Sequence, residues 1–158
     1  MAINKSVASL PWNFIELVNS SSENTSSTRT SKSIGYLVKK LEKAAEEFEK
    51  LGYVRLGEIT PDPHRKIDIL FLEKDGYVVE LVSPNAPDSV VSGLLKTYKN
   101  APYHICYECT DFQEDLERLA ANGYVQIDQP TPAPAIGNRR VVFLMNSRLG
   151  MIELLEGC

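Results

Sequence analysis

The chain has 158 residues, of which 24% are charged, and its formal net charge at pH 7 is −4. This charge excludes the basic surface on which nucleic-acid binding depends, and no apolar run is long enough for a membrane-spanning helix. Three cysteines without disulfide or zinc-finger spacing, together with the lack of a signal peptide, predict a reducing, cytoplasmic setting.

Residues 1–32 are predicted to form a flexible N-terminal extension. Ser20 to Ser33 consists almost wholly of serine, threonine, asparagine and charged residues, a composition typical of linkers. Before it, Leu10 to Val18 could form a short amphipathic turn or strand. The segment is either a tail without a structural role, a linker to another domain, or an arm that packs on a partner subunit.

The rest of the chain occurs twice. The segment Ser33–Val38 matches His104–Cys109 at an offset of 71 residues, and the helix-like segments that follow keep this offset. The closing strands match at an offset of 73, which a loop insertion explains. Two copies predict one duplicated domain over 33–158, with modules at 33–84 and 103–156. They are too few for a solenoid, so a paired or closed arrangement is expected.

The first module is predicted to contain a strand, an amphipathic helix and further strands, followed by a connecting helix. Asp75-Gly76 indicates a hairpin between its last two strands. The predicted elements are strand Ile34–Val38, helix Leu41–Leu51, strand Tyr53–Ile59, loop Thr60–His64, strands 66–73 and 77–83, and helix Ser89–Tyr98. The apolar residues of these helices are Leu41, Ala44, Ala45, Phe48 and Leu51 in the first, and Val90, Leu94 and Leu95 in the second.

The second module repeats the plan, beginning with a strand from Tyr103. Alternation predicts that one face of this strand carries Tyr103, Ile105 and Tyr107, and the other His104, Cys106 and Glu108. It also places Cys106 and Cys109 on opposite faces, which disfavours a redox or zinc role for the pair. The remaining predictions are helix Phe112–Ala121 burying Phe112, Leu116, Leu119 and Ala120, a proline-rich loop over Pro130–Gly137, and strands 140–145 and 150–155.

Two glutamates occupy matching positions in the last strands of the modules. Glu80 lies within Val-Val-Glu-Leu-Val and Glu153 within Met-Ile-Glu-Leu-Leu. A carboxylate in such apolar surroundings needs a cation or a proton. Together with His104, these residues fit a divalent site for Zn, Ni, Co, Fe or Mn. The alternative is that both glutamates face solvent and His104 is a core or edge histidine; the duplication favours the metal site, because equivalent positions converge on a pseudo-twofold axis.

Five short motifs follow one another over some 120 residues. They are Ser33-Ile34-Gly35-Tyr36-Leu37-Val38, Glu80-Leu81-Val82-Ser83-Pro84 with Asp88-Ser89, Tyr103-His104-Ile105-Cys106, Gly137-Asn138-Arg139-Arg140-Val141-Val142-Phe143-Leu144, and Ile152-Glu153-Leu154. In this order and spacing they resemble the vicinal oxygen chelate (glyoxalase/bleomycin-resistance) superfamily, most closely methylmalonyl-CoA epimerase and glyoxalase-like proteins. The resemblance implies an α+β fold of two βαβββ modules whose curved mixed sheets enclose a cleft.

The resemblance also implies a ligand set for a divalent metal such as Zn, Co, Ni or Mn. Three of the four family positions carry ligands, namely Glu80, His104 and Glu153. At the fourth, Ser33 replaces a histidine, and a serine hydroxyl is a poor metal ligand because it stays protonated. The chain therefore binds metal with three side chains and water, recruits another donor, or has lost the metal. His64 in its loop is the one other histidine that could approach.

By resemblance, the chain is a metal-dependent isomerase, epimerase or lyase. Such an enzyme abstracts a proton next to a carbonyl of an acyl-CoA-type or 2-oxoaldehyde-adduct substrate and stabilises the enolate with the metal. Glu58 and Glu153 are the candidate catalytic residues, although a solvated loop residue is the favoured interpretation of Glu58. Arg139 and Arg140 are candidates for binding a substrate phosphate or carboxylate, or for capping a strand edge in solvent.

A second interpretation is a metal-free protein of the same fold that binds or sequesters small molecules. It is favoured by Ser33 and by Met145-Asn146-Ser147, which replaces the family's His-Pro-Lys; that replacement also fits a changed substrate. A purely structural module is a third possibility, made less attractive by two glutamates and a histidine in strands. A small-molecule substrate and a homodimer are the partners that the family implies, with no nucleic acid and no membrane.

Overall fold

Each copy of the repeated sequence folds into the same succession of strand, helix and strands. The computed structural model describes residues 29–158. Its elements in chain order are β1 (Arg29–Leu37), α1 (Leu41–Lys50), β2 (Val54–Arg55), β3 (Thr60–Asp62), β4 (Ile67–Lys74), β5 (Tyr77–Pro84), α2 (Ser92–Tyr98), β6 (Ala101–Cys109), α3 (Phe112–Ala121), β7 (Val125–Gln126), β8 (Thr131–Ala133), a 3₁₀ turn at Pro134–Ile136, β9 (Arg139–Asn146) and β10 (Gly150–Glu156). No helix in this part of the chain is long and apolar enough to cross a membrane.

The ten strands form one mixed sheet, which confirms the α+β prediction. The strand order is β2-β4-β5-β1-β6-β10-β9-β7, with β3 beside β4 and β8 beside β9. The first strands of the two copies, β1 and β6, pair antiparallel at the centre. Each lies parallel to the last strand of its own copy, β5 or β10. The two copies are therefore related by a pseudo-twofold axis between β1 and β6.

The helices α1 and α3 pack against one face of the sheet, whereas the other face lines a cleft and carries the apolar residues that pack with α2. Strand residues alternate between the two faces. On the helix side, Leu70 and Leu72 pack with α1, whereas Val142 and Leu144 pack with α3. The opposite side of the same strands presents apolar residues to the cleft, namely Ile67, Ile69, Phe71, Val141 and Phe143. The sheet thus has two buried faces, one against helices and one around a cavity.

The first strand begins earlier than the sequence predicted. β1 starts at Arg29, so residues 29–32, assigned to the flexible extension, belong to the sheet. Ser31 pairs with Tyr107 and Ser33 with Cys106, and these backbone hydrogen bonds outweigh a side-chain composition typical of linkers. The remaining part of the predicted extension, including Leu10 to Val18, lies outside the described residues.

Three predictions for the segments between α1 and β4 and between α3 and β9 were wrong. Of the strand predicted over Tyr53–Ile59 only the two-residue β2 forms, and the predicted loop Thr60–His64 contains β3. Likewise, the predicted loop Pro130–Gly137 contains β8. Proline is tolerated there because β8 pairs with β9 alone, so one edge of the strand needs no hydrogen bond.

The predicted helix faces are correct apart from three residues. Leu51 and Val90 lie just outside α1 and α2 and are more than half exposed. Ala120 is exposed because the buried stripe of α3 runs through Phe112, Asp115, Leu116 and Leu119. The prediction for the cysteines holds, since Cys106 packs in a cluster on the cleft side and Cys109 in the cluster against α3.

Candidate metal centre

Glu80, His104 and Glu153 meet at the middle of the cleft. They belong to β5, β6 and β10 at the centre of the sheet, where β6 pairs with β10 and is separated from β5 by β1. All three are buried, with 8%, 3% and 6% exposure. The Nε2 atom of His104 lies 3.5 Å from a carboxylate oxygen of Glu80 and 3.4 Å from one of Glu153. The three side chains therefore offer ligand atoms that can converge on a single cation.

The histidine at this centre has unsatisfied hydrogen-bonding groups. Neither Nδ1 nor Nε2 of His104 makes a hydrogen bond of good geometry within residues 29–158, although both are buried. A buried polar group without a partner costs about 1–3 kcal/mol. The observation fits a site that is completed by a ligand.

The charges of the cluster affect one another strongly. Burial raises the pKa of Glu80, and the neighbouring carboxylate of Glu153 raises it further, against the opposing effect of His104. Burial alone would lower the pKa of His104, but the adjacent Glu153 and Glu80 outweigh it and raise this pKa to about 9. Without a cation, the imidazole is thus expected to hold a proton between the two carboxylates at neutral pH.

Gly35 provides the space that the His104 ring occupies. The two residues are paired across β1 and β6, and a Cβ atom built on Gly35 would overlap the imidazole. The backbone of Gly35 does not have a positive φ, so the requirement for glycine at this position comes from space and not from conformation.

We expect Gly35→Ala to displace His104, lowering the free energy of unfolding by about 1–3 kcal/mol and weakening metal binding. The matched control is Gly93→Ala in α2, where an added Cβ meets nothing within 4 Å. This control should leave the free energy of unfolding unchanged or raise it by up to about 1 kcal/mol. Chemical denaturation and a metal titration of both variants test the prediction. Equal free energies of unfolding and equal metal affinities in Gly35→Ala and Gly93→Ala would contradict it.

Two β-bulges turn additional side chains toward the cleft. The register between β1 and β6 shifts at Lys32 and again at Tyr103, and these residues are equivalent in the repeat, at the offset of 71. Bulges commonly redirect side chains beside active sites. Tyr103 therefore lines the cavity and packs edge-on against His104, with ring centroids 4.4 Å apart. Its predicted place on the face of Ile105 and Tyr107 was wrong, because alternation does not anticipate a bulge.

Ser33, at the fourth family position, also faces the cleft. It is 6% exposed and lines the same cavity as Glu80 and Glu153. Its strand partner is Cys106, which pairs with Glu153 on the other side. Burial raises the pKa of the Cys106 thiol, and the nearby carboxylates raise it further. The thiol is therefore protonated at neutral pH and acts as a donor beside Glu153.

The structure separates the two predicted substrate-binding arginines. Arg139 lines the cavity. Arg140 points to the helix side of the sheet, as strand alternation requires. There its guanidinium makes two hydrogen bonds to the Glu156 carboxylate, at 2.6 and 3.0 Å, and lies over the ring of Phe112. A role for Arg140 in the cleft is therefore not supported by its position.

Glu58, His64 and the segment Met145-Asn146-Ser147 are not brought to the metal centre. Glu58 is exposed in the loop between β2 and β3 and is absent from the described residues that line the cavity. His64 is also exposed and borders a second cavity. The segment 145–147 forms the end of β9 and the turn before β10, where the Asn146 side chain accepts hydrogen bonds from the backbone of Arg148 and Leu149.

A buried ion pair in the cleft was missed by the sequence analysis. Asp62, in β3, is 1% exposed, and Arg65 is 7% exposed. Their side chains meet at 2.6 Å, and the guanidinium also donates to the carbonyl oxygens of Thr131 and Pro132 in β8. The pair thus joins the two copies across the open side of the cleft. Its only sequence signal is an Asp and an Arg three residues apart between two strands, a pattern that solvated loops share.

The cleft contains two cavities that share a wall. The first, of about 220 Å³, is bordered by Glu80 and Glu153. The second, of about 560 Å³, lies toward α2. The residues that border both cavities are Arg65, Ile67, Tyr103 and Phe143. The two glutamates of the metal centre therefore border a small, mainly apolar cavity, and the four shared residues separate it from a larger one.

Comparison with known proteins gives a family match and several similar folds. The family model described as the glyoxalase/bleomycin resistance protein/dioxygenase superfamily matches residues 32–143. The sequence matches none of the curated proteins.

Three solved structures with a similar fold have low sequence identity to this chain. A hypothetical protein from Bacillus halodurans has a TM-score of 0.73 and 22% identity, covering 83% of this chain and 96% of its own. Methylmalonyl-CoA epimerase from Mycobacterium tuberculosis has a TM-score of 0.70 and 20% identity, covering 81% and 87%. A Streptomyces coelicolor methylmalonyl-CoA epimerase variant in complex with 2-nitronate-propionyl-CoA has a TM-score of 0.70 and 20% identity, covering 84% and 99%. At these identities the likeness concerns the fold.

Proposed function

Because the chain belongs to the glyoxalase/bleomycin resistance protein/dioxygenase superfamily, we propose that it is a divalent-metal-dependent isomerase or lyase. In this proposal it removes a proton next to a carbonyl group of a small-molecule substrate. The observation that carries the proposal is the buried meeting of Glu80, His104 and Glu153, whose two glutamates border a cavity. Two buried carboxylates close together, beside an imidazole whose nitrogens make no hydrogen bond of good geometry, are an unfavourable arrangement in the absence of a cation.

The three side chains fit a divalent ion by chemistry and by spacing. Carboxylate and imidazole ligands suit Zn, Co, Ni or Mn. Ligand atoms at about 2.0–2.2 Å from one ion can lie at most about 4.4 Å apart. Nε2 of His104 is 3.5 and 3.4 Å from the oxygens of Glu80 and Glu153, and the ligand atoms of all three residues lie within 4.8 Å of one another. A bound ion would polarise the substrate carbonyl and stabilise the negative charge that develops on its oxygen.

Residues of the cleft supply the group that accepts the proton, a donor that orients this group, and walls that exclude water. Glu153 is proposed both as a ligand and as the group that accepts the substrate proton. It borders the cavity, whereas Glu58, the other residue predicted for this role, is exposed outside it. The thiol of Cys106 can donate a hydrogen bond to Glu153 and orient it. The apolar walls, including Phe71 and Phe143, exclude water from the reacting atoms.

The metal affinity is expected to rise with pH up to about pH 9. The pKa of His104 is raised to about 9 and that of Glu80 is also raised, so at lower pH a cation must displace at least one proton. For each proton released, the affinity should increase about tenfold per pH unit. Zinc titrations followed by calorimetry in buffers of different protonation enthalpy measure the zinc affinity and the number of protons released on binding. An affinity that does not change between about pH 6 and pH 9 would contradict the proposed ligand set.

The substrate proposed for this site is an acyl thioester or a 2-oxoaldehyde adduct. Structural neighbours include methylmalonyl-CoA epimerases, one of them in complex with methylmalonyl-CoA. The first cavity, of about 220 Å³, suits the reacting acyl group, and the adjoining cavity of about 560 Å³ offers room for the rest of the molecule. A homodimer and a cytoplasmic location remain predictions of the resemblance and of the cysteine content.

A second candidate function is metal-free binding of a small molecule in the same cleft. It is favoured by Ser33, which occupies the fourth ligand position with a weak ligand. Ser33→His is expected to raise zinc affinity by about tenfold or more over the natural protein by adding an imidazole ligand. Ser31→His, on the same strand but exposed, serves as the control and should not change it. A natural protein without measurable affinity, together with tight binding by Ser33→His alone, would favour the second candidate over the first.

A further inference from the structure

The two ends of the cleft are equivalent in backbone but differ in charge. The β-bulge of each central strand places one residue there, Tyr103 at one end and Lys32 at the other. The end at Tyr103 also holds the ion pair of Asp62 and Arg65. That pair is internally compensated, and Asp128 borders the adjoining cavity, so this end carries no excess positive charge.

At the other end, two cations share one carboxylate. Nζ of Lys32 lies 2.6 Å from one oxygen of Glu108, and Nη1 of Arg139 contacts the other oxygen. The other polar contacts of the Arg139 guanidinium are with the carbonyl oxygens of Ile136 and Glu156 and with the Sγ atom of Cys158. The carboxylate of Glu156 is already bound to Arg140. No second carboxylate in the described chain forms an ion pair with Lys32 or Arg139 within 4.0 Å.

A charge balance of the loaded cleft leaves one positive charge at this end. A divalent ion would offset Glu80 and Glu153, and Asp62 offsets Arg65. Glu108 offsets one of the two cations, Lys32 and Arg139, and the other stays uncompensated. Both cations line the cavity that the metal centre borders. Their side chains are 43% and 28% exposed, so they lie at its mouth, accessible to an incoming molecule.

We propose that Lys32 and Arg139 bind a carboxylate of the substrate, so that the part of the substrate held in the cleft carries one negative charge. Its carboxylate is separate from the carbonyl group that reacts at the metal centre. The inference rests on the proposed function, because the excess of one charge depends on a divalent ion at Glu80, His104 and Glu153. Arginine is suited to this role because its planar fork of donors matches a carboxylate. Specificity for a charged substrate then comes from the mouth of the cleft, and the chemistry from its centre.

The test uses hydroxamates, which chelate metal ions through two neighbouring oxygens. Zinc-loaded protein is titrated with acetohydroxamate, with a series of dicarboxylic acid monohydroxamates of increasing linker length, and with the uncharged amide of each. We expect at least one carboxylate compound to bind about tenfold more tightly than its amide, with a preference that weakens as salt is added. Arg139→Gln should abolish this preference and Lys32→Gln should reduce it. Arg140→Gln is the matched control, one residue along the strand but on the helix side, and should retain the full preference.

The outcomes separate this inference from the function on which it rests. If acetohydroxamate binds and every carboxylate compound binds no better than its amide, the anion site is wrong and the metal centre stands. Equal loss of the preference in Arg139→Gln and Arg140→Gln would also overturn the inference, because it would reflect long-range charge alone. If zinc-loaded protein cannot be prepared, or does not bind acetohydroxamate, the proposed function fails and the inference fails with it.

Discussion

Glu153→Gln is expected to weaken binding of a divalent ion by more than about 100-fold. The substitution preserves the shape of the side chain but removes one of two negative charges and an anionic ligand from a buried site. Loss of a residue that merely supports a ligand typically costs about 10–100-fold in affinity, so loss of the ligand itself should cost more. Turnover that depends on the ion and on proton abstraction by this carboxylate should disappear. The affinity can be measured by competition with a coloured chelator.

The metal-free Glu153→Gln protein provides an independent measurement. The carboxylate of Glu153 is one of the two groups that raise the pKa of His104 to about 9, and this pKa should fall in the variant when followed by NMR. Glu156→Gln is the control, since this residue lies near the end of the same strand and bonds Arg140 away from the cleft. Full metal affinity in Glu153→Gln would show that the proposed site is wrong.

Asp62→Asn is expected to give the largest loss of stability, about 3–5 kcal/mol in the free energy of unfolding. Removal of one partner from a buried ion pair leaves the other charge uncompensated, which accounts for a cost of this size. Asp62 and Arg65 are 1% and 7% exposed, and the Asp62 carboxylate also accepts a hydrogen bond from the backbone of Arg65. Urea denaturation monitored by circular dichroism gives the value.

An exposed ion pair provides the comparison for Asp62→Asn. Glu47 and Lys50 in α1 are also three residues apart and meet at 2.7 Å, but both side chains are more than 60% exposed. Glu47→Gln should therefore change the free energy of unfolding by no more than about 1 kcal/mol. A similarly small effect of Asp62→Asn would mean that Arg65 finds solvent or another partner, and that the ion pair does not hold the two copies together across the cleft.

The parts of the fold that repeat in the sequence could be predicted, because each pattern is supported twice. The helices α1 and α3 and the paired closing strands follow from apolar periodicity, and the matched positions of Glu80 and Glu153 follow from the offset between the copies. His104 was singled out as the histidine of a strand in a family motif. The structure places these three residues together, which is the arrangement that duplication and resemblance implied.

The remaining features depend on packing that leaves no periodic signal. The bulges at Lys32 and Tyr103 come from the register between β1 and β6, and they change which side chains reach the cleft. The orientation of Arg140 away from it follows only once the bounds and partners of β9 are known. Asp62 and Arg65 are buried by contact with residues some 66 positions along the chain, so local sequence could not distinguish them from a solvated loop.

The most direct test of the account is the metal content of the natural protein, purified without chelators and without a nickel affinity step. Elemental analysis should find about one divalent ion per chain, and Zn, Co, Ni and Mn titrations of stripped protein should restore it. The natural protein should bind through Glu80, His104 and Glu153 despite Ser33. A protein that carries no metal and takes up none of these ions at neutral pH would contradict the account, and the cleft would then be a binding pocket without metal chemistry.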